Sequence, residues 1–421
     1  MIPPLLGRVA VAALALVFCA GPAGAHTQSP GPAAAPVPAP RPMVSDPASV
    51  PDFHLTWDPD PRASNIPALP YPRLTPGQLI SNTSNLDHIA TRKCSAANSS
   101  LGALRNAVAA ADWYCFDSVD SASSTWTPQG MSGSEDAHAG GTVDGRRVLL
   151  NSWYGHAPNQ STPTRSRVSF LVPGSPARYV HVELVQLMPG QTQFRSLPTH
   201  AGGIVWHENF LYVADPRRGL FVFDTRNILD LGRTDDQRAP GSRFVLPEVG
   251  LWSSGTGGVS PHACNRGNRA CYDYVALDRS ASSWQFITGE YCSERRGGTL
   301  VWCNSRLARW RTSDITSRTA DRTIHAQEVY RQPVTNVQGA VSYLDPAAAT
   351  RRCYYFDSSR GEDNLGWLVT DRPNQQPTYQ QGGVGLQDLY VMRSNRQLWT
   401  VTEWPGLGKR IVYGVNQPSC P

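Results

Sequence analysis

At 421 residues, 40% hydrophobic and 17% charged, the chain is long enough for one large β-domain or two ordinary domains. Its net charge of +5 is mild and the basic residues are scattered, which argues against nucleic acid as a partner. All but Lys93 and Lys409 of those basic residues are arginine, so the chain is poor in amines.

In chain order, residues 1–25 read as an export signal. Arg8 precedes the apolar run VAVAALALVFCAG, and Ala23-Gly24-Ala25 offers a small-residue cleavage site. The run is too short for a membrane span, and no later stretch approaches it, so a secreted chain free of the membrane is expected. Cys19 is expected to leave with the signal rather than to carry a lipid. Residues 26–60 are rich in proline and alanine and predict a leader or linker, which leaves 61–421 for the folded domain.

Helical periodicity is confined to SSLGALRNAVAAADW (99–113), which predicts one short helix. Elsewhere, runs rich in Val, Tyr, Phe, Trp and Leu alternate with Gly, Pro, Asn, Asp and Ser, the grammar of strands and turns. Two patterns recur. WYCFD (113–117), RVSFLV (167–172), LFVFD (220–224), YDYVALD (272–278), RLARW (306–310), CYYFD (353–357) and RIVYGV (410–415) resemble one blade strand. PQGM (128–131), HAGGI (200–204), TGGV (256–259), RGGTL (296–300), VQGAV (337–341) and GGVGL (382–386) open units on glycine. A period of roughly 40–50 residues with about four strands each marks a β-propeller. Glycine suits its innermost strands, where backbones converge. The fold class expected is therefore all-β, a single disulfide-stabilised propeller of seven blades, or six if residues 94–117 only close the ring. Stacked β-sandwiches would give no fixed glycine-first period.

Eight cysteines follow the signal, and an even count in an exported chain implies disulfides. The spacings favour Cys94–Cys115, Cys264–Cys271 and Cys292–Cys303, leaving Cys353–Cys420. No C-x-x-C pair exists, which argues against structural zinc.

If glycine-led strands line the axis, Gln129, His200, Gln338 and Gln387 share a channel mouth that could bind a sugar or small anion. Alternatively these groups satisfy one another and ordered water. Glu135, Asp136 and His138 fall in SGSEDAHAGG (132–141), which reads as a solvated loop. Glycoside hydrolysis needs two carboxylates at a set separation; Glu135, Asp136, Glu208 and Asp215 are candidates, and nothing selects a pair. There is no G-x-S-x-G, S-x-x-K, H-E-x-x-H, P-loop or dinucleotide fingerprint. No catalytic residue, cofactor or metal is assigned.

Glutamines cluster instead in segments expected to be exposed: Gln78, Gln160, Gln191 with Gln193, and Gln375, Gln376, Gln380 and Gln381. Proline and glycine beside an amide keep backbone mobile enough to enter an acyl-transfer cleft. With two lysines, the chain suits glutamine donation better than amine acceptance.

WTPQGM (126–131), LLNSWYG (149–155), HAGGIVW with FLYVAD, CYYFDSS and VMRSNRQLWTVTEWPG carry a resemblance over the whole mature chain. It resembles the dispase autolysis-inducing proteins secreted by Streptomyces. The resemblance implies a seven-bladed propeller without catalytic activity of its own, monomeric before cross-linking. It also implies two partners: thermolysin-like metalloproteases, whose self-cleavage it promotes, and a secreted transglutaminase that cross-links it. It carries no protease-contact motif. The other expectation is a carbohydrate-binding or carbohydrate-active propeller, lectin or glycosidase/lyase, working through the mouth around His200.

Overall fold

Short β-branched and aromatic runs, cut by tight turns, pair into five four-stranded antiparallel meanders. The computed structural model describes residues 38–421 apart from 189–192, 233–241, 256–268, 297–298, 346–347 and 349–350. Blade 1 holds Trp126–Gly133, Leu149–Gly155, Arg165–Val172 and Ala177–Leu187. Blade 2 holds Ile204–His207, Phe210–Asp215, Gly219–Asp224 and Phe244–Ser253. Blade 3 holds Tyr274–Asp278, Gln285–Gly289, Arg306–Arg311 and Glu328–Arg331. Blade 4 holds Val337–Leu344, Arg352–Ser358, Leu365–Asp371 and Thr378–Val384. Blade 5 takes Leu386–Met392, Gln397–Thr402 and Ile411–Asn416 from the C-terminus and its fourth strand, Ala110–Cys115, from the N-terminal side. That shared blade closes the ring and leaves no open end to the sheet series.

The first strands of the blades meet around an axis. Asp388 of blade 5 accepts from Met131 N of blade 1 (2.8 Å) and Ile204 N of blade 2 (3.3 Å). Ser342 of blade 4 donates to Asp278 of blade 3. Glycine is required where these strands touch: a Cβ on Gly203 would lie 2.5 Å from Val275 N, and one on Gly339 would lie 2.3 Å from the Cα of Asp388. Trp153, Trp206, Trp252 and Trp310 fill the space between sheets, fully buried.

The propeller is as expected; the described strands give five blades, where seven or six were expected. The bulky-pair pattern does not mark one strand of a blade. RVSFLV, LFVFD, RLARW and RIVYGV lie on third strands, but YDYVALD is a first strand, CYYFD a second and WYCFD the closing fourth. Glycine is the better marker, opening the first strands of blades 1, 2, 4 and 5. RGGTL instead runs into a hairpin, Glu294–Arg296 with Thr299–Val301, and TGGV lies outside the described residues.

Two further expectations are corrected. The leader assigned to 26–60 is folded at its C-terminal end: Val44–Ser45 pairs with blade 3, His54–Pro59 with blade 2, and Phe53 is fully buried. Proline content misled there, because proline is tolerated on outer edge strands. The helix expected over 99–113 is absent. Arg105 and Asn106 have positive φ, 49° and 54°, and the ring claims Ala110–Cys115 as a strand. Cys94–Cys115, Cys292–Cys303 and Cys353–Cys420 are bonded as expected. Cys271 is disulfide-bonded, while Cys264 lies outside the described residues. Among the described residues no helix is long and apolar enough to cross a membrane.

Candidate functional site at the channel mouth

Every first strand starts at the same end of the axis, so residues entering the five first strands converge there. Gln129, His200, Gln338 and Gln387 all lie at such entries, as expected from their glycine neighbours. The fifth entry belongs to Asp273, immediately before Tyr274. It was missed because blade 3 opens without glycine. Second strands run back to this end, and residues at or just past their ends add Tyr154, Asp215, Glu290 with Tyr291, Ser359 and Glu403.

Gln129 and Gln387 are buried, while His200, Asp273, Tyr154, Tyr291, Gln338 and Glu403 are half-buried. Both buried amides hydrogen-bond the Glu403 carboxyl, and Gln129 also donates Nε2 to Pro128 O at 2.8 Å. Burial raises the Glu403 pKa to about 7, against the pull of these amides and of Arg410. Arg410 gives its Nε–H to the backbone carbonyl of Glu403 (2.8 Å). Asp273 Oδ2 accepts from Tyr291 N at 2.8 Å; burial, with Glu290 and Asp215 adding repulsion, raises it to about 8. Both Glu403 and Asp273 help burial to raise the Tyr291 phenol.

Two other carboxylates at this end, Asp215 and Glu290, are held by arginine. Asp215 takes Arg218 Nη2 at 2.8 Å and Thr199 Oγ1 at 2.9 Å, which hold its pKa below the ordinary range despite burial. Glu290 is gripped by Arg306 through Nε (2.9 Å) and Nη2 (2.7 Å). Asp273 and Glu403 are half-buried and have no hydrogen-bonded guanidinium among the described residues; Asp357 and Asp388 share that feature but are fully buried. His200 stacks on Tyr154 (5.0 Å, 23°), its Nδ1 has no partner, and burial lowers its pKa. The left-handed Ala201 (φ 52°) turns the chain there, and Gly202 packs so close that a Cβ would sit 2.1 Å from Asp273 O.

The opposite end of the axis is plugged. Glu135 and Asp136, expected on a solvated loop, are buried in the short helix Ser134–Ala137. The Glu135 carboxylate accepts from Arg393 N (2.6 Å) and Ser394 N (3.1 Å), and Arg279 donates to the carbonyls of Glu135 and Asp136. Asp136 accepts from Ser132 (3.1 Å) and burial raises it to about 7. His138 packs edge-on against Trp206, and Glu208 is exposed at this end, where its N donates to Ala137 O. Of the four carboxylates first considered for hydrolysis, only Asp215 reaches the mouth, and Arg218 occupies it.

The glutamines proposed as acyl donors divide. Gln160 is exposed in the turn between Leu149–Gly155 and Arg165–Val172, and Gln375 and Gln376 are exposed in the turn after Leu365–Asp371. Gln193 is also exposed, while Gln191 lies outside the described residues. Gln78 is not on a loose tail: it is the third residue of the helix Pro76–Ser81, locked with Thr75 in a capping box. Gln380 and Gln381 are exposed but sit on the strand Thr378–Val384, paired with Leu368 and Trp367, and are not loop residues.

One group among the described residues has metal-ligand chemistry. His88, Asp120 and His181 bring ligand atoms within 4.8 Å of one another where the outer strands of blades 5 and 1 meet. Residues so far apart in sequence left no local motif to read.

No protein-family model and no curated protein matches the chain. Among solved structures it is similar to a GH43_1 enzyme from Xanthomonas citri, with TM-score 0.31 and 14% identity over 69% of this chain and 87% of that one. The same enzyme complexed with xylose gives the same values. Kuenenia stuttgartiensis hydrazine synthase follows with TM-score 0.29 and 9% identity over 67% of this chain and 75% of that one.

Proposed function

We propose that the protein is exported and that its channel mouth binds a carbohydrate, with Asp273 and Glu403 placed to act on a glycosidic bond. The observation that carries this reading is the pair itself: two half-buried carboxyls on separate blades, raised to about 8 and about 7, neither hydrogen-bonded by an arginine among the described residues. A carboxyl that keeps its proton near neutrality can donate it to a leaving oxygen. The neutral amides of Gln129, Gln387 and Gln338 and the rings of Tyr154 and His200 suit an uncharged polyhydroxylated ligand. The export leader and the disulfides fit work outside the cell.

A glycan array followed by reducing-sugar release from the bound glycans tests this. Glu403→Gln should keep binding while release falls at least about 100-fold, the usual contribution of general acid–base catalysis. A blank array together with no release rejects the reading.

A second reading rests on the exposed turn glutamines Gln160, Gln375 and Gln376. On that reading the propeller is a non-enzymatic partner of thermolysin-like metalloproteases and a glutamine donor to transglutaminase, monomeric until cross-linked. Incubation with a thermolysin-type protease, followed by gel, should then show accelerated loss of the protease. An unchanged protease rejects it.

A further inference from the structure

We propose that His88, Asp117, Asp120 and His181 form a binding site for a divalent metal ion of the zinc type, clasping the seam where the ring closes. Two imidazoles and two carboxylates are a donor set that zinc accepts. They come from three elements: His88 from His88–Arg92, the aspartates from the start of the helix Ser118–Ala122, and His181 from Ala177–Leu187.

The spacing is near what a metal needs. Bonds of 2.0–2.2 Å in a tetrahedron place ligand atoms about 3.3 Å apart. Here His88 Nδ1 lies 2.6 Å from Asp117 Oδ2 and 3.7 Å from Asp120 Oδ2, and His181 Nε2 lies 2.8 Å from Asp120 Oδ2. Small side-chain rotations open these contacts around an ion.

The groups behind the ligands already hold them in the required orientation. Asp120 turns Oδ1 to Arg167 Nη2 (2.5 Å), and its Oδ2 also accepts from the Tyr179 hydroxyl (2.6 Å). Asp117 fixes Oδ1 on Asp120 N (2.9 Å) and leaves Oδ2 to the site. His181 sets Nδ1 against Ser169 Oγ (2.9 Å), which is itself fixed by the Trp153 indole N–H (2.7 Å). With Nδ1–H donated to the serine, Nε2 offers its lone pair inward. His88 stacks on Tyr179 at 4.7 Å. Such partners orient metal-bound histidines and carboxylates. The site is reachable from solvent, the side chains of His88 and Asp117 being 24% and 23% exposed while Asp120 is 3% exposed.

The position gives the ion a role. His88–Arg92 pairs with Ala110–Cys115 of blade 5 and with Ala177–Leu187 of blade 1, so the ligands span the first and last blades. A metal there opposes opening of the ring.

The test is titration of the chelator-treated full protein with ZnCl2 by calorimetry, repeated with CoCl2 to read the absorption bands of tetrahedral cobalt. One equivalent should bind, with tetrahedral cobalt bands and a Tm several degrees higher in metal. His88→Ala and Asp117→Asn should each abolish the bands while their metal-free Tm stays near that of the parent. Ser169→Ala should weaken binding about 10–100-fold. Absence of saturable binding, or binding that survives both His88→Ala and Asp117→Asn unchanged, overturns the proposal. Failure of the carbohydrate reading would leave it untouched.

Discussion

Replacing Glu403 by glutamine isolates the strain at the mouth through stability alone. In the unfolded chain this carboxyl titrates near 4.5, while in the fold burial lifts it to about 7. Between those values the folded protein holds a proton that the unfolded chain has released. Stability therefore falls as pH rises through the window and levels off above about 7. At 1.36 kcal/mol per pH unit the interval corresponds to about 3 kcal/mol, an upper bound because solvent reaches part of the group. The amide in Glu403→Gln resembles the protonated acid, can still bond Gln129 and Gln387, and never ionises. Urea unfolding at pH 4.5, 6 and 8 should give equal stabilities at the lowest pH and a variant more stable by up to about 3 kcal/mol at pH 8. Other titrating groups, Asp273 among them, are common to both proteins and cancel in the difference. A gap that does not change with pH, or a variant less stable at pH 8, refutes the reasoning that the site is held in tension by a buried acid.

Three other perturbations follow from the geometry. Gly203→Ala places a Cβ 2.5 Å from Val275 N, and with backbone on both sides it should cost about 3 kcal/mol in thermal or urea unfolding; a loss below about 1 kcal/mol means the first strands are not packed as described. The double variant Cys353→Ser with Cys420→Ser frees a 67-residue separation, which loop entropy values at about 4 kcal/mol; urea unfolding with an unchanged midpoint removes the clasp. Microbial transglutaminase with a biotinylated amine, read by peptide mapping, should label Gln160, Gln375 or Gln376 and spare Gln78, Gln129 and Gln387. Labelling confined to the buried pair would contradict their place beside Glu403.

What the sequence disclosed depended on whether the cause was local. Glycine at strand entries has a local steric cause, so it placed Gln129, His200, Gln338 and Gln387 at the entries of first strands. Close cysteine spacing likewise anticipated Cys94–Cys115 and Cys292–Cys303. The bulky pairs ending in Asp do not count blades, because they serve any buried strand, whichever its place in the blade. Glu135 and Asp136 looked solvated because Gly and Ser surround them. Arg279 and Arg393, contributed from blades 3 and 5, help Ser394 and Ser132 make their burial tolerable. The fifteen-residue Ala-rich stretch that suggested a helix lost to the ring's need for a final strand, a tertiary demand that overrides propensity.

The two ends of the axis differ because strand direction sorts residues before chemistry does. A residue that enters a first strand or leaves a second one arrives at the mouth; a residue in the turn between them arrives at the plug. Asp273 and Glu403 satisfy the first condition, while Glu135, Asp136 and Glu208 satisfy the second. Arginine then divides the carboxylates that reach the mouth. Arg218 and Arg306 hold Asp215 and Glu290 in ion pairs, which fixes the walls but leaves no acid to spare. Arg410 could have done the same to Glu403. Its guanidinium instead bonds the backbone carbonyls of Glu403, Asp120 and Ser123. Arg410 thus acts on the Glu403 carboxyl only through space, and burial outweighs it, so the acid keeps its proton near neutrality.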